Sequence, residues 1–451
     1  MVDRSRRKFL SLAGAAGLTG LAGCAGNTNR YNISDKTKKK LSSPVGGSDQ
    51  GRHVSPSQMK SDSEFAESKN LGSQEWLELQ YDSRNSGHTR DVDGPVKEVE
   101  ERWHFYTGSK AEASPIVHDG VVYAGTSDNS TFFALDAATG KPKWIYPSYK
   151  KGKRTKNTDW FFTAPAFSKG KVITGNGNGK IYAFDAKTGD VDWTFKTKGG
   201  RMFCNVAAKD GVTYVGGTDT VMYAIDVESG TKKWSNKTGG WIFTKPAVVG
   251  DHVYYGSNDK KLYKVKKDSG DVVWTYKTKS KIPTGPTVVD GSVYIGTDLS
   301  FVVSVDAESG KKNWRKQTGT AKKKYHYPDG PGGTKVYNSL AVADGKVYCT
   351  TDRSGIHAFD AKSGKRVWSY KDKITKNDEA GFPPAIVNDT LYTGWRGPGT
   401  GGVNGKIYAL DPKNGDVKWT FDKAGAGGPG IANGLLYFGS RNGNIYALEE
   451  K

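Results

Sequence analysis

Three cysteines, seven histidines and two glycine-rich runs are the first places to look for chemistry in this chain, and their spacing offers little of it. Cys24, Cys204 and Cys349 form no CxxC, no CxxCH and no adjacent pair, so metal, haem and dithiol readings find no support. Cys24 ends "LAGC", the pattern that places a lipidated cysteine at a cleavage site. The other two are read as buried thiols acting as small apolar side chains. Of the histidines, His326 in "YHYP" falls in a segment otherwise suited to binding. "GNGNGK" (Gly175–Lys180) and "GPGTGG" (Gly397–Gly402) have the glycines of a phosphate loop without a following helix, so both are read as turns. No grouping of Asp, Glu and Asn stands out as a calcium cage, and no metal site is expected.

What remains is positive charge beside aromatic rings. Ile145–Thr163 and Lys316–Asn338 each hold five Lys/Arg against one Asp, with Lys151, Arg154, Lys323 and Lys324 among them. Near them or at equivalent places lie Trp160, Phe162, Phe203, Trp241, Phe243, Tyr337 and Trp395. Such rings either stack on a flat ligand or pack against one another and plug a channel. The formal charge is +20, and +17 without residues 1–23, which favours anionic partners: lipid headgroups, envelope polyanions or acidic proteins. No nucleic-acid module is recognisable.

These candidates are positioned by a repeat. "ALDAATGKPKW" (Ala134–Trp144) returns ending at Trp193, Trp234, Trp314, Trp368 and Trp419, with a degenerate "KVKKDSGDVVW" ending at Trp274. Asp-x-x-Thr/Ser/Asn-Gly is turn chemistry, in which the carboxylate takes backbone N–H groups and glycine takes the positive φ. Alternating apolar residues before the turn and the short run ending in Trp read as strands. Upstream, "Pro-Ala-x-Val…Asp-Gly-x-Val-Tyr-x-Gly" supplies two more strands, and four strands per repeat make a blade. The period suits propeller blades.

The repeated eleven residues resemble the tryptophan-docking motif of the PQQ-like (quinoprotein-type) β-propeller superfamily, from about Trp103 onward. The resemblance implies an all-β, eight-bladed ring with docking Trp103, Trp144, Trp193, Trp234, Trp274, Trp314, Trp368 and Trp419. Trp103 lacks a preceding turn and Ala447 opens a copy that lacks its Trp. Joined, they let the N-terminal strand complete the last blade and close the ring. With Lys264 and Lys266 in place of Ala and Asp, the fourth repeat is expected to have a looser turn. "EWLELQYDSRNSGHTR" resembles a lead-in found ahead of such propellers and is expected to pack on the first or last blade. Long connections between an outer strand and the next inner strand would share one face, here termed the loop face.

Ahead of the ring, "SRRKFL" with a short apolar run and "LAGC" makes residues 1–23 a twin-arginine lipoprotein signal, exported folded. Residues 24–70 are polar and are expected to be a disordered tether, leaving 71–451 as the propeller. Two functions follow from the resemblance. One is a quinoprotein dehydrogenase using PQQ and Ca²⁺, although the vicinal cysteines and long insertions of such enzymes are missing. The other, favoured here, is a monomeric, lipid-anchored extracytoplasmic scaffold similar in layout to BamB-type lipoproteins. It would have no cofactor and no catalytic residue, and would meet a protein or anionic envelope partner.

Overall fold

The computed structural model describes residues 56–451 except 128–129, 147–159, 320–325, 328–329, 332–334, 337, 352–354, 371–378, 397–404 and 423–426. Eight antiparallel sheets of four core strands are arranged as blades around an axis, as the repeat implies. Blade two shows the pattern: Ala166–Ser168 innermost, then Lys171–Gly175, Lys180–Asp185 and Val191–Lys196 outermost. Innermost strands of neighbouring blades lie side by side around the axis. The apolar clusters therefore form layers between blades rather than one central core; the layer joining blades two and three, for instance, holds Ile173, Ile181, Val215, Tyr223 and Ile225.

Each docking Trp lies opposite the first residue of its motif and next to a register shift, as at Ala134–Trp144. Its ring covers the motif glycine of the following blade. A Cβ on Gly189 would lie 2.5 Å from Trp144, and one on Gly364 would lie 2.6 Å from Trp314. Its indole N–H donates to the carbonyl of the fourth motif residue of that same blade, Trp144 to Ala186 (2.9 Å) and Trp314 to Ala361 (2.8 Å). In blades one, five, six, seven and eight a tyrosine of the second strand donates to the same carbonyl, as Tyr348 and Trp368 do to Pro412.

The ring closes as the orphaned Trp103 suggested. Val99–Tyr106 pairs with Asn444–Glu450, placing Trp103 opposite Ala447, and completes blade eight around Leu435–Gly439 and Gly430–Ala432. Blade eight has no covalent motif turn, so Pro95 takes its place and accepts both Trp419 (2.9 Å) and Tyr392 (3.1 Å).

Three expectations are corrected. The fourth turn is not looser: Gly270 N–H still donates to Lys266 O at 3.0 Å, with φ 76°. Only the side-chain cap is missing, because the turn is built by backbone bonds. Lys264 is buried and donates to Ala307 O (3.0 Å), the carbonyl that also takes Trp274. The tether does not extend to residue 70 either. The helix Pro56–Ser61 buries Met59, Ser63 Oγ accepts from Tyr106 N, Glu64 pairs with His104, and Ala66 N donates to Thr139 O. Met59 and Phe65 are the apolar anchors that an averaged composition hides. This strap runs down the outer edge of blade eight, from the loop face to the opposite face.

The third correction concerns the lead-in, which touches the innermost part of every blade. Trp76 exchanges both backbone bonds with Val117 (2.8 and 2.9 Å), and Leu77 O accepts from Phe167. Ser83, Arg84, Ser86 and Gly87 carbonyls accept from Val248, Val288, Val342 and Ile386 in turn. Glu78 takes Ala208 N, and Gln74 Oε1 takes Asn433 N. Innermost strands leave one edge of N–H groups unpaired, and a chain laid around the axis satisfies them. Gly87 is required there: its φ is 61°, and a Cβ would meet Ala341 Cβ at 2.8 Å.

Two outcomes are expected. Deleting residues 25–55 should leave the thermal transition unchanged, deleting 25–70 should lower it by several degrees, and Trp103→Ala should cost about 3–5 kcal/mol in chemical denaturation. The second concerns acid. The carboxyls of Asp185 and Asp226 are held below the usual range, first by the backbone N–H of Thr188 and Ser229. Those of Asp306 and Asp360 are held down first by the hydroxyls of Ser309 and Ser363. A lowered native pKa stabilises above the unfolded value and is lost as pH falls through the native one. The midpoint should therefore stay level from about pH 8 to 5 and drop below about pH 4, less steeply in Asp360→Asn.

Candidate functional site

The axis and the loop face are the two places where side chains from several blades converge. At the axis, the lead-in turns through positive φ at Gln80, Tyr81 and Asn85 and brings Glu78 and Asn85 beneath Lys245. Lys245 begins blade four, and its side chain is fully buried. Its ammonium donates to Leu79 O (2.8 Å), Asp82 O (3.1 Å) and Asn85 Oδ1 (2.7 Å), with Glu78 Oε2 at 3.3 Å. Asn85 Nδ2 donates to Lys245 O and Pro286 O, and Gln80 Nε2 to Leu340 O. Burial pushes the Glu78 carboxyl up and the Lys245 amine down, and their mutual attraction opposes both shifts. The network ties blades four, five and six to the lead-in and stoppers the channel. Residue types alone do not reveal it, because Lys245 stands in a "T-K-P-A" that reads as an ordinary strand opening.

On the loop face, the aromatic residues singled out above come together over blades one to four. Phe162, Phe203 and Phe243 occupy equivalent positions four residues ahead of three successive innermost strands. Phe203 lies 6.0 Å from Phe162, 5.7 Å from Phe243 and 5.8 Å from Trp160, between ring centres. Trp241 meets Phe243 edge-on at 5.7 Å and is 39% exposed. The Arg201 guanidinium lies 5.0 Å above Trp160. The rings pack on one another as a ridge at the loop-face ends of the innermost strands, and the lead-in fills the other end of the axis. Trp395 sits near the end of the second strand of blade seven, paired with Lys406. Tyr337, Lys151, Arg154, Lys323, Lys324 and Cys24 lie outside the described residues.

Cys204 and Cys349 are buried, and burial pushes both thiols up to about 12, so neither is a thiolate at neutral pH. Among the described residues, Glu64, Glu101 and His104 are the grouping of three possible metal ligands. They join the strap to the closing strand, with His104 Nδ1 2.7 Å from Glu101 and 3.6 Å from Glu64, away from both axis and ridge. A calcium ion beside a quinone would need several free oxygen ligands, and the axis is where buried oxygens of this chain gather. There the Glu78 carboxylate faces an ammonium instead, and Asn85 spends its amide on Lys245 and Pro286. These residues do not fit such a group. On the opposite face a cavity of about 480 Å³ is bounded by Ser73, Gln74, Glu75, Leu77, Tyr81, Asp91 and Val92.

The family profile described as outer membrane protein assembly factor BamB matches residues 97–201, 177–326 and 279–420. The chain is 37% identical over 99 residues to the dehydrogenase subunit of the quinone alcohol dehydrogenase of Gluconobacter oxydans, covering 21% of this chain and 13% of that protein. It is 34% identical over 97 residues to the outer membrane protein assembly factor BamB of Xanthomonas campestris, covering 20% and 22%. The matched stretches thus span less than a quarter of either relative. In three dimensions it resembles BamB from Moraxella catarrhalis (TM-score 0.62, 16% identity, 78% of this chain and 99% of that one). It also resembles the quinohemoprotein alcohol dehydrogenase of Comamonas testosteroni (TM-score 0.68, 16% identity, 83% and 80%). At that identity the likeness concerns the fold.

Removing one partner of the axial ion pair should be more damaging than removing both. Lys245→Met should cost about 3–5 kcal/mol by stranding the Glu78 carboxylate, and adding Glu78→Gln should recover much of the loss. Urea titration of the two variants checks this.

Proposed function

Because the chain belongs to the outer membrane protein assembly factor BamB family, we propose that it is a tethered, extracytoplasmic binding and scaffold propeller that meets its partner through the loop face. The observation that carries this reading is the ridge of Trp160, Phe203, Phe243 and Trp241, set on a rigid ring and flanked by Arg201. Exposed aromatic rings beside arginine are the side chains that dominate protein recognition surfaces. The stoppered axis supports it too, since the chain itself fills the place where a small ligand would be enclosed. Export by the twin-arginine pattern and lipidation at Cys24 complete the reading. The lysine-rich segments 147–159 and 320–335 add long-range attraction for an anionic partner.

The quinoprotein relatives favour a second reading, a PQQ-dependent dehydrogenase. Its quinone would stack on the rings of the loop face, and its calcium would need oxygen ligands other than Glu78, which Lys245 engages.

One experiment separates the two. In a pull-down from detergent-solubilised membranes, wild type should retain a partner that the Trp160→Ala/Trp241→Ala variant loses, with capture weakening as salt rises. Equal capture by both proteins would remove the loop face from the proposal. Dye-linked alcohol oxidation after incubation with PQQ and Ca²⁺ would replace the scaffold by the dehydrogenase.

A further inference from the structure

We infer that the loop face of blades two to four lies against an anionic lipid surface. This deepens the tethered-scaffold reading and rests on it. The first observation is where the described chain begins. The helix Pro56–Ser61 and Ser63 sit beside Tyr106, at the loop-face end of the closing strand. From there the strap runs away from the loop face, past Glu64–His104 to Ala66–Thr139 in the motif turn of blade one. The described chain therefore begins on the loop-face side, at Pro56. Thirty-one residues separate Cys24 from Pro56 in the sequence, and a polar chain of that length behaving as a random coil would reach roughly 30 Å. A lipid on Cys24 would hold the loop face, rather than its opposite, toward the membrane.

The second observation is the chemistry of that face. Three consecutive connections, residues 196–205, 237–244 and 277–284, carry exposed Lys196, Lys198, Arg201, Lys237, Lys277 and Lys279 with half-buried Lys281 and no Asp or Glu, while the adjoining second-to-third-strand turns hold Asp298, Asp219 and Asp259, the last two accepting from Tyr223 and Tyr263. The aromatic ridge rises among them, with Trp241 exposed and the Arg201 guanidinium over Trp160. Tryptophan amid lysine and arginine is the composition of a membrane-interface contact: the indole sits at headgroup depth and the cations meet lipid phosphates. An acidic protein would satisfy the same charges. The position of the chain's exit and the two tryptophans favour the lipid surface.

The test uses the full chain with Cys24→Ser, so that attachment reports the ring rather than the lipid, and vesicles of phosphatidylcholine with or without roughly a third phosphatidylglycerol. All variants share residues 1–55, so differences between them report the loop face. The protein should co-sediment with the anionic vesicles, release as salt rises, and stay off the neutral ones. Lys198→Gln/Arg201→Gln/Lys279→Gln should bind at least about tenfold more weakly, with an unchanged thermal transition. Brominated lipid should quench the emission, and Trp241→Phe should lose much of that quenching. Equal binding of the charge variant overturns the inference, as does equal binding to neutral vesicles. Capture of a polyglutamate peptide without vesicle binding also overturns it, in favour of an acidic protein. Because the pull-down of the preceding subsection does not involve vesicles, failure here with a ridge-dependent partner there removes the membrane contact and leaves the scaffold standing.

Discussion

The indole-to-carbonyl clasp between neighbouring blades is the interaction on which the remaining structure depends. Eight tryptophans each cover the next blade and donate to a carbonyl in or beside its motif turn, from Trp103 on Ala137 (3.0 Å) to Trp419 on Pro95 (2.9 Å). Each bond contributes on the order of 1 kcal/mol, and the buried ring contributes more. The larger effect is geometric. Because the acceptor belongs to a tight Asp-x-x-x-Gly turn, the clasp fixes where one sheet starts relative to the last, and a constant offset repeated eight times closes a circle. The turn must therefore keep its shape even where its residues change. Blade four shows this: without the motif Asp, the Gly270–Lys266 bond persists, and Lys264 shares the Ala307 carbonyl with Trp274.

Closure places three demands on the N-terminal part of the chain, and residues 56–106 meet all of them in order. The strap covers the free edge of blade eight. The lead-in satisfies the innermost edges of the ring, and Val99–Tyr106 supplies the missing outer strand. A ring in which one segment touches every blade cannot lose a blade piecemeal. The buried Lys245 belongs to the same logic: an ammonium with four oxygen neighbours can be tolerated in the interior, and it fixes which way the lead-in turns.

The sequence made the periodic features legible and the non-periodic ones much less so. Eight repeats announced the blades, the docking role of each Trp, and the joining of Trp103 to the Ala447 copy, because all of these are set by local turn chemistry and strand alternation. The axial network was not legible. Asn85 meets Lys245 only after 160 residues of chain, Gln80 meets the Leu340 carbonyl only after 260, and none of them carries a local signature. The strap was hidden for a different reason: two apolar anchors, Met59 and Phe65, suffice to dock a polar segment onto an existing surface. The aromatic ridge lies between. Equivalent positions in successive repeats aligned Phe162, Phe203 and Phe243, but only the closed ring shows that they touch each other.

A ring sealed in this way confines recognition to its surfaces. With the channel stoppered from one side by the lead-in, a partner cannot pass through the axis, and among the described residues the sides of the ring expose scattered valines such as Val191, Val272 and Val367 at the starts of outer strands. Such scattered groups do not make a patch. The loop face differs in kind, because its connections are free of the clasp: the outer-to-inner segments carry no motif residue, so their length and charge can vary without disturbing closure. That freedom explains why lysine accumulates in them, while the motif turns on the opposite face keep their carboxylates occupied with their own backbone, as Asp226 does with Glu228 and Ser229. The two faces of the ring are thereby given different chemistry by the same repeat, one by the geometry of the turns and the other by the absence of any geometric duty.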